Sequence, residues 1–130
     1  MQLSDLHIGR QVDDRYLLRT FQRVKELAPE IVVYTGDFIS FEGDHLAHLQ
    51  RLFSHLPRGR EATVGVLGNH DYGPGWSRLE VAAGIVELAA SSGVRILRNE
   101  MAEAGGLQIA GLGDVWAHQF HPERVLPDLD

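Results

Sequence analysis

Two short runs of β-branched and apolar residues, Ile31–Thr35 (IVVYT) and residues 62–67 (ATVGVL), each closed by a glycine turn, limit what this chain can fold into. Near-continuous apolar runs of this length are the signature of strands buried on both faces of a parallel sheet. Parallel neighbours need long crossover connections, and the sequence supplies them. Leu17, Phe21, Val24 and Ala28 recur at helical spacing after Asp13 and Asp14; Leu46, Leu49, Leu52, Phe53 and Leu56 do so after Asp44. Pro29 and Pro57 stop these two helices. A third helix is expected behind a capping box formed by Ser77 and Glu80, with Val81, Ile85 and Leu88 on one face and Gly93 after its end. Further strands are expected at residues 94–97 and 107–112, with a hairpin turn at Gly105 and Gly106 after Met101. Alternation of strand and helix implies an α/β fold, a mainly parallel sheet with right-handed crossovers and flanking helices.

At 130 residues the chain has room for one domain, taken as residues 1–130. No internal repeat or linker divides it. The 44% apolar and 23% charged content excludes disordered, coiled-coil and collagen-like classes. There are no cysteines, which excludes disulfides, zinc fingers and thiol catalysis; a metal would be held by His, Asp, Glu and Asn, a donor set suited to Mn, Fe, Zn or Co. A net charge of -6 without a basic run argues against long nucleic acid or an anionic membrane as the main partner. With neither a membrane-length apolar stretch nor a signal-peptide pattern after Met1, the chain as given reads as cytoplasmic, and its oligomeric state is left open.

In parallel α/β sheets ligands bind beyond the carboxyl ends of the strands, so the loops after the first three strands carry the chemistry. Asp5-Leu6-His7 follows the first strand; in extended chain, residues i and i+2 project to one side, so carboxylate and imidazole reach one cation. Gly36-Asp37 follows the second, with a tight turn that puts a carboxylate at the sheet edge. Gly68-Asn69-His70-Asp71 follows the third: Asn69 offers a neutral carbonyl oxygen and His70 a transferable proton. Each triplet alone has a bland explanation as a turn or a cap. Together, in order on consecutive strand ends about thirty residues apart, they describe one crevice.

The segments SDLHIG, TGDF and LGNHD resemble the first three motifs of the calcineurin-like metallophosphoesterases, a superfamily of binuclear phosphomonoesterases and phosphodiesterases, and the resemblance runs over residues 5–130. It implies a four-layer α/β/β/α sandwich, of which this chain is part, and two divalent metal ions. Asp5 and His7 would hold the first ion, Asp37 would bridge both, Asn69 would hold the second, and His70 would stabilise the transition state and assist the leaving group. Two ions roughly 3.5–4 Å apart acidify a bridging water to hydroxide and clamp the phosphoryl oxygens. Residues 110–116 (AGLGDVW) resemble the G-x-D-D-x-W segment of a bacterial subgroup similar to the YkuE-type phosphoesterases, with Gly113 where that subgroup often has an acid.

The chain also departs from the family pattern. A second acid usually lies three positions after the bridging Asp and orients the catalytic histidine; here that position is Ser40, leaving Asp71 or a backbone carbonyl for the task. The family's later histidines, ending in G-H-x-H, are missing; His118 and His121, with Pro122 directly after, are expected in an exposed loop, and His45 and His48 on a solvated helix surface. Met1 to Ser4 form a short first strand, so the chain is expected to be clipped at both ends and to expose a sheet face. Tyr72 and Trp76, in YGPGW, either line a substrate mouth or pack on the third helix. These readings favour a metal-dependent hydrolase of small-molecule or lipid phosphoesters, with a repair-type nuclease or an inactive metal-binding scaffold as alternatives.

Overall fold

The computed structural model describes residues 1–9, 11–40 and 46–129. Four strands, β1 (Gln2–Leu3), β2 (Ile31–Thr35), β3 (Ala62–Val66) and β4 (Arg95–Ile96), form a parallel sheet in the order β1-β2-β3-β4. The connections are α1 (Asp14–Leu27), α2 (Leu46–Phe53) and α3 (Leu79–Ser91). An antiparallel hairpin, β5 (Glu100–Ala104) and β6 (Leu107–Gly111), turns at Gly105 and Gly106, as the sequence implied. Layered helices, parallel sheet and second small sheet are the α/β architecture expected.

In-register pairing aligns Leu3, Tyr34, Gly65 and Ile96 in one row across the sheet. That face packs into a single core with Leu17, Phe21 and Val24 of α1, Leu52 and Phe53 of α2, and Ala82, Ile85 and Ala89 of α3. All three helices therefore cover the same side. Phe38 stacks between Tyr34 and Phe53, with ring centroids 5.4 and 5.6 Å away. Burying apolar side chains of this size contributes roughly 1.5–3 kcal/mol each. The Tyr34 hydroxyl, inside this core, donates to the Pro57 carbonyl at 2.7 Å, which satisfies a polar tip that would otherwise cost more than the ring gains.

The opposite face is only half covered, which corrects the expectation of strands buried on both sides. Along β2, Val32 and Tyr34 are buried while Ile31 and Val33 are half-buried and Thr35 is exposed. Among the described residues the hairpin approaches here: Gly111 lies against Leu97 and Gly105 against Ile31, where an added Cβ would come within 2.1 Å and 3.4 Å of their side chains. Between the two sheets runs a cleft of about 240 Å³ lined by Val33, Val64, Val66, Leu97 and Ile109. No helix among the described residues is long and apolar enough to cross a membrane.

Two local expectations also change. Asp13 caps α1, accepting from the N–H groups of Arg15 and Tyr16 at 2.8 and 3.3 Å, but the Ser77–Glu80 capping box does not form. A 3₁₀ turn, Pro74–Trp76, runs up to Ser77 and makes Arg78 the N-cap of α3; the Glu80 carboxylate takes the Arg78 Nε–H at 2.6 Å instead. His48 is not a merely solvated surface residue. Its Nε2 lies 3.0 Å from both Asp14 carboxylate oxygens, and Arg51 adds an ion pair, so α1 and α2 are tied by charge. His45 lies outside the described residues.

Burial pushes the Asp14 carboxyl up, but hydrogen bonds and charge from His48 and Arg51 outweigh it and hold the pKa below 3.8. An acid whose folded pKa is depressed contributes stability above its unfolded value and loses it as pH falls through the folded value. Asp14→Ala is therefore expected to lower the urea midpoint near neutral pH, with the deficit shrinking as the pH falls through the lowered Asp14 pKa. A deficit that stays constant on acidification would assign the loss to packing rather than to the ion pair.

Candidate metal centre

The site forms where the segments leaving β1, β2 and β3 run side by side. Backbone bonds join the first two: Asp5 N–H to Gly36 O at 3.1 Å, His7 N–H to Asp37 O at 3.0 Å, Ile8 N–H to Phe38 O at 2.8 Å, and Ser40 N–H to Ile8 O at 3.3 Å. The second and third meet through glycines. A Cβ on Gly36 would lie 2.4 Å from Gly68 N, and one on Gly68 would lie 2.2 Å from Asp37 Oδ1. With neither present, the Asp37 carboxylate packs on the Gly68 backbone and accepts the His70 N–H at 3.1 Å.

The result is a tight group of donors. Ligand atoms of Asp5, His7 and Asp37 all lie within 4.8 Å of one another. His7 Nε2 is 3.7 Å from Asp5 Oδ1 and 3.8 Å from Asp37 Oδ2. Divalent first-row ions bind such atoms at roughly 2.0–2.2 Å, so one ion fits this group after small side-chain rotations. Two carboxylates and an imidazole are also the donor chemistry such an ion takes. All three residues have left-handed backbones, with φ of 54° at Asp5, 43° at His7 and 54° at Asp37. The extended-chain account of Asp5 and His7 is thus replaced: backbone reversals, not strand alternation, aim the two side chains together. Each such conformation costs on the order of 1 kcal/mol for a residue bearing a Cβ.

His70 joins the group from the third loop, its ring edge-on to that of His7 with centroids 5.0 Å apart. Asn69, between Gly68 and His70, opens the 3₁₀ turn Asn69–Tyr72 and is half-buried. Ser40 answers the question raised by the missing second acid: its backbone carbonyl lies 3.0 Å from His70 Nδ1, and its hydroxyl donates to the His7 carbonyl at 2.9 Å. A main-chain oxygen therefore does the orienting, which no side-chain pattern announces.

Asp71, the other candidate for that task, does something else. It is fully buried, with Oδ1 accepting from Ile39 N–H at 3.1 Å and Oδ2 from Gly68 N–H at 2.9 Å, so one carboxylate fastens the second loop to the third. Burial pushes its carboxyl up to about 7, against the pull of those N–H groups, and the charge of Asp37 adds to the rise. Tyr72 is in the core, whereas Trp76 is partly exposed and meets Trp116 at 5.6 Å between centroids. His118 is exposed and His121 pairs with Glu123 at 3.2 Å on the surface; neither belongs to the Asp5, His7 and Asp37 group.

Leaving two buried N–H groups without acceptors costs roughly 1–3 kcal/mol each. Asp71→Ala is expected to lower unfolding free energy by at least about 2 kcal/mol, and Asp71→Asn, which keeps one acceptor, by clearly less. Urea unfolding of both variants checks this; equal losses would contradict the clamp.

Comparison with known proteins agrees with the geometry. Residues 1–119 match the sequence profile of the calcineurin-like phosphoesterases. The chain is similar to the UDP-2,3-diacylglucosamine pyrophosphatase LpxG of Chlamydia trachomatis serovar D, with 25% identity over 100% of this chain and 53% of the relative. It is 33% identical to an uncharacterized metallophosphoesterase of Aquifex aeolicus, over 88% of this chain and 41% of that protein. An uncharacterized metallophosphoesterase of Campylobacter jejuni is 27% identical over 88% of this chain and 29% of its own length. The chain thus spans about half or less of the length of these relatives. No solved structure gives a significant match. With a profile match over nearly the whole chain and the motif residues gathered at one sheet edge, the chain belongs to the calcineurin-like phosphoesterase family.

Proposed function

We propose that this chain carries the site of a metal-dependent phosphoester hydrolase. The observation that carries the reading is the convergence of Asp5, His7 and Asp37 from two loops, with His70 from a third beside them. In this reading Asp5 and His7 hold one divalent ion, Asp37 reaches both, and Asn69 holds a second, the ions being drawn from Mn, Fe, Zn or Co. Divalent ions held by these residues would supply Lewis-acid charge and lower the pKa of a water for attack on phosphorus.

The chain's own residues supply the rest. A carbonyl oxygen can only accept, so the Ser40 contact assigns the hydrogen to His70 Nδ1 and leaves Nε2 as the atom that gains or gives a proton. Protonated there, His70 offers a donor to charge developing on the phosphoryl oxygens or the leaving group, the moment at which such a donor lowers the barrier most. Asp37 is held by the His70 N–H through Oδ1 and presents Oδ2 toward His7. Small-molecule or lipid phosphoesters suit the site better than nucleic acid, given the net charge of -6. The chlamydial relative is named for UDP-2,3-diacylglucosamine, a diphosphate that bears acyl groups. A cytoplasmic location belongs to the same proposal.

Elemental analysis of the purified chain is expected to show close to two divalent ions, lost in Asp37→Ala. Less than one ion in both proteins would refute a working binuclear site in this chain. His70→Ala is expected to lower turnover of a model phosphoester by about 10²–10⁴-fold with little change in bound metal. Parallel loss of metal and activity would instead make His70 a ligand.

A further inference from the structure

A second feature is built at the same sheet edge. Gly105 lies at the start of β2 and Gly111 beside Leu97, past the end of β4, so β6 runs in the direction of the parallel strands. Residues 112–121 therefore emerge at the carboxyl edge, where the donors gather. Asn99 holds them in a fixed shape: its Oδ1 accepts from the N–H groups of Gly113 and His121, each at 3.0 Å, and its Nδ2 donates to Gln119 O at 2.9 Å. Gly113 packs on that same carbonyl, 2.0 Å from where a Cβ would stand. Asp114 closes the tip, Oδ1 accepting from Ala117 N–H at 2.7 Å and its carbonyl from Gln119 N–H at 2.9 Å.

This arm displays Val115 and Trp116, 61% and 68% exposed, and sets Trp116 against Trp76. Trp76 is reached from His70 by consecutive 3₁₀ turns, linked by Gly73 N–H to His70 O and Trp76 N–H to Gly73 O. Trp76 thus follows His70 by six residues, with Gly73 and Gly75 turning the chain between them. Large apolar surface held out in water by a rigid polar knot marks a binding surface.

We propose that the Trp76–Trp116 pair, extended by Val115, seats an acyl chain of the phosphoester hydrolysed at the metal centre. The proposal rests on the hydrolase reading above and narrows its substrate to one with an apolar tail. Ring geometry decides the occupant. The ring centroids lie 5.6 Å apart and the planes are inclined at 63°, so the pair offers a continuous apolar ridge on which an alkyl chain would bury surface, not a parallel slot that would sandwich a nucleobase. Asp114 beside the ridge, and the acidic chain as a whole, disfavour a polyanion.

The chain has two tryptophans, so fluorescence excited at the red edge, where its three tyrosines do not absorb, reports on this pair alone. The metal-free chain would be titrated with dodecyl phosphate below its critical micelle concentration, with butyl phosphate and with uridine monophosphate. A saturable blue shift is expected with dodecyl phosphate, at an affinity at least about tenfold above that for butyl phosphate, the effect of burying about two methylenes. Trp116→Ala, which removes an exposed side chain and leaves Trp76 as reporter, is expected to abolish that preference. Equal affinity for the two alkyl phosphates, a stronger response to the nucleotide, a shift driven by protein concentration alone as a second copy would produce, or a preference that survives Trp116→Ala would each overturn the proposal. Because the titration uses no metal and no turnover, it fails independently of the hydrolase reading, which metal content and activity test.

Discussion

The close approach of the loops after β2 and β3 is the constraint on which the rest of the site depends. Gly36 and Gly68 bring two backbones to a separation that no side chain permits, and the Asp37 carboxylate occupies the space a Cβ at Gly68 would need. From that contact follow the Asp37 bond to the His70 N–H, the placement of Asn69 between them, and the nearness of the His70 ring to Ser40. Asp71 locks the arrangement by bonding to a main-chain N–H on each loop. Two absent methyl-sized groups and one buried carboxylate thus hold the third loop against the second.

The first loop is held by different means. Asp5, His7 and Asp37 lie in left-handed conformations in which the Cβ of any non-glycine residue is crowded, and four backbone hydrogen bonds between residues 5–8 and 36–40 hold them there. Gathering the Asp5 and Asp37 carboxylates around one imidazole also sets like charges near each other, a repulsion that solvent screens on the exposed Asp5 side. Strain and repulsion concentrated at one place, offset by a well-packed helix-covered core, is what a site organised in advance for a divalent ion requires.

Much of this was legible in the sequence because it depends on periodicity. Ile31–Thr35 appears as a strand over the expected residues, α1 starts at its Asp13 cap, and the Gly105 and Gly106 turn forms the expected hairpin. What failed depended on tertiary context. Ser77 and Glu80 have the spacing of a capping box, but the Pro74–Trp76 turn set by the glycines around it consumed the position where the cap would form. An apolar run says that a strand is sticky, not how much of its second face is covered, so the half-exposed Val33 was hidden. The role of Ser40 was out of reach for another reason: a backbone carbonyl is carried by every residue, and only the fold decides which one faces His70.

Three aspartates in this small region show how the fold assigns different work to one side chain. Asp71 is fully enclosed and spends both oxygens on backbone N–H groups, so neither remains for an ion and its task is structural. Asp37, with 16% of its side chain exposed, gives Oδ1 to the His70 N–H and turns Oδ2 toward His7. Asp5, with 64% exposed, accepts from the Ser4 hydroxyl through Oδ2 and directs Oδ1 at the same imidazole nitrogen. Subtracting the oxygens already engaged leaves one from each of Asp5 and Asp37, both facing His7 Nε2. The point between those three atoms is where a bound cation would offset the facing carboxylates, and it lies at the end of the sheet to which the third loop brings the His70 ring.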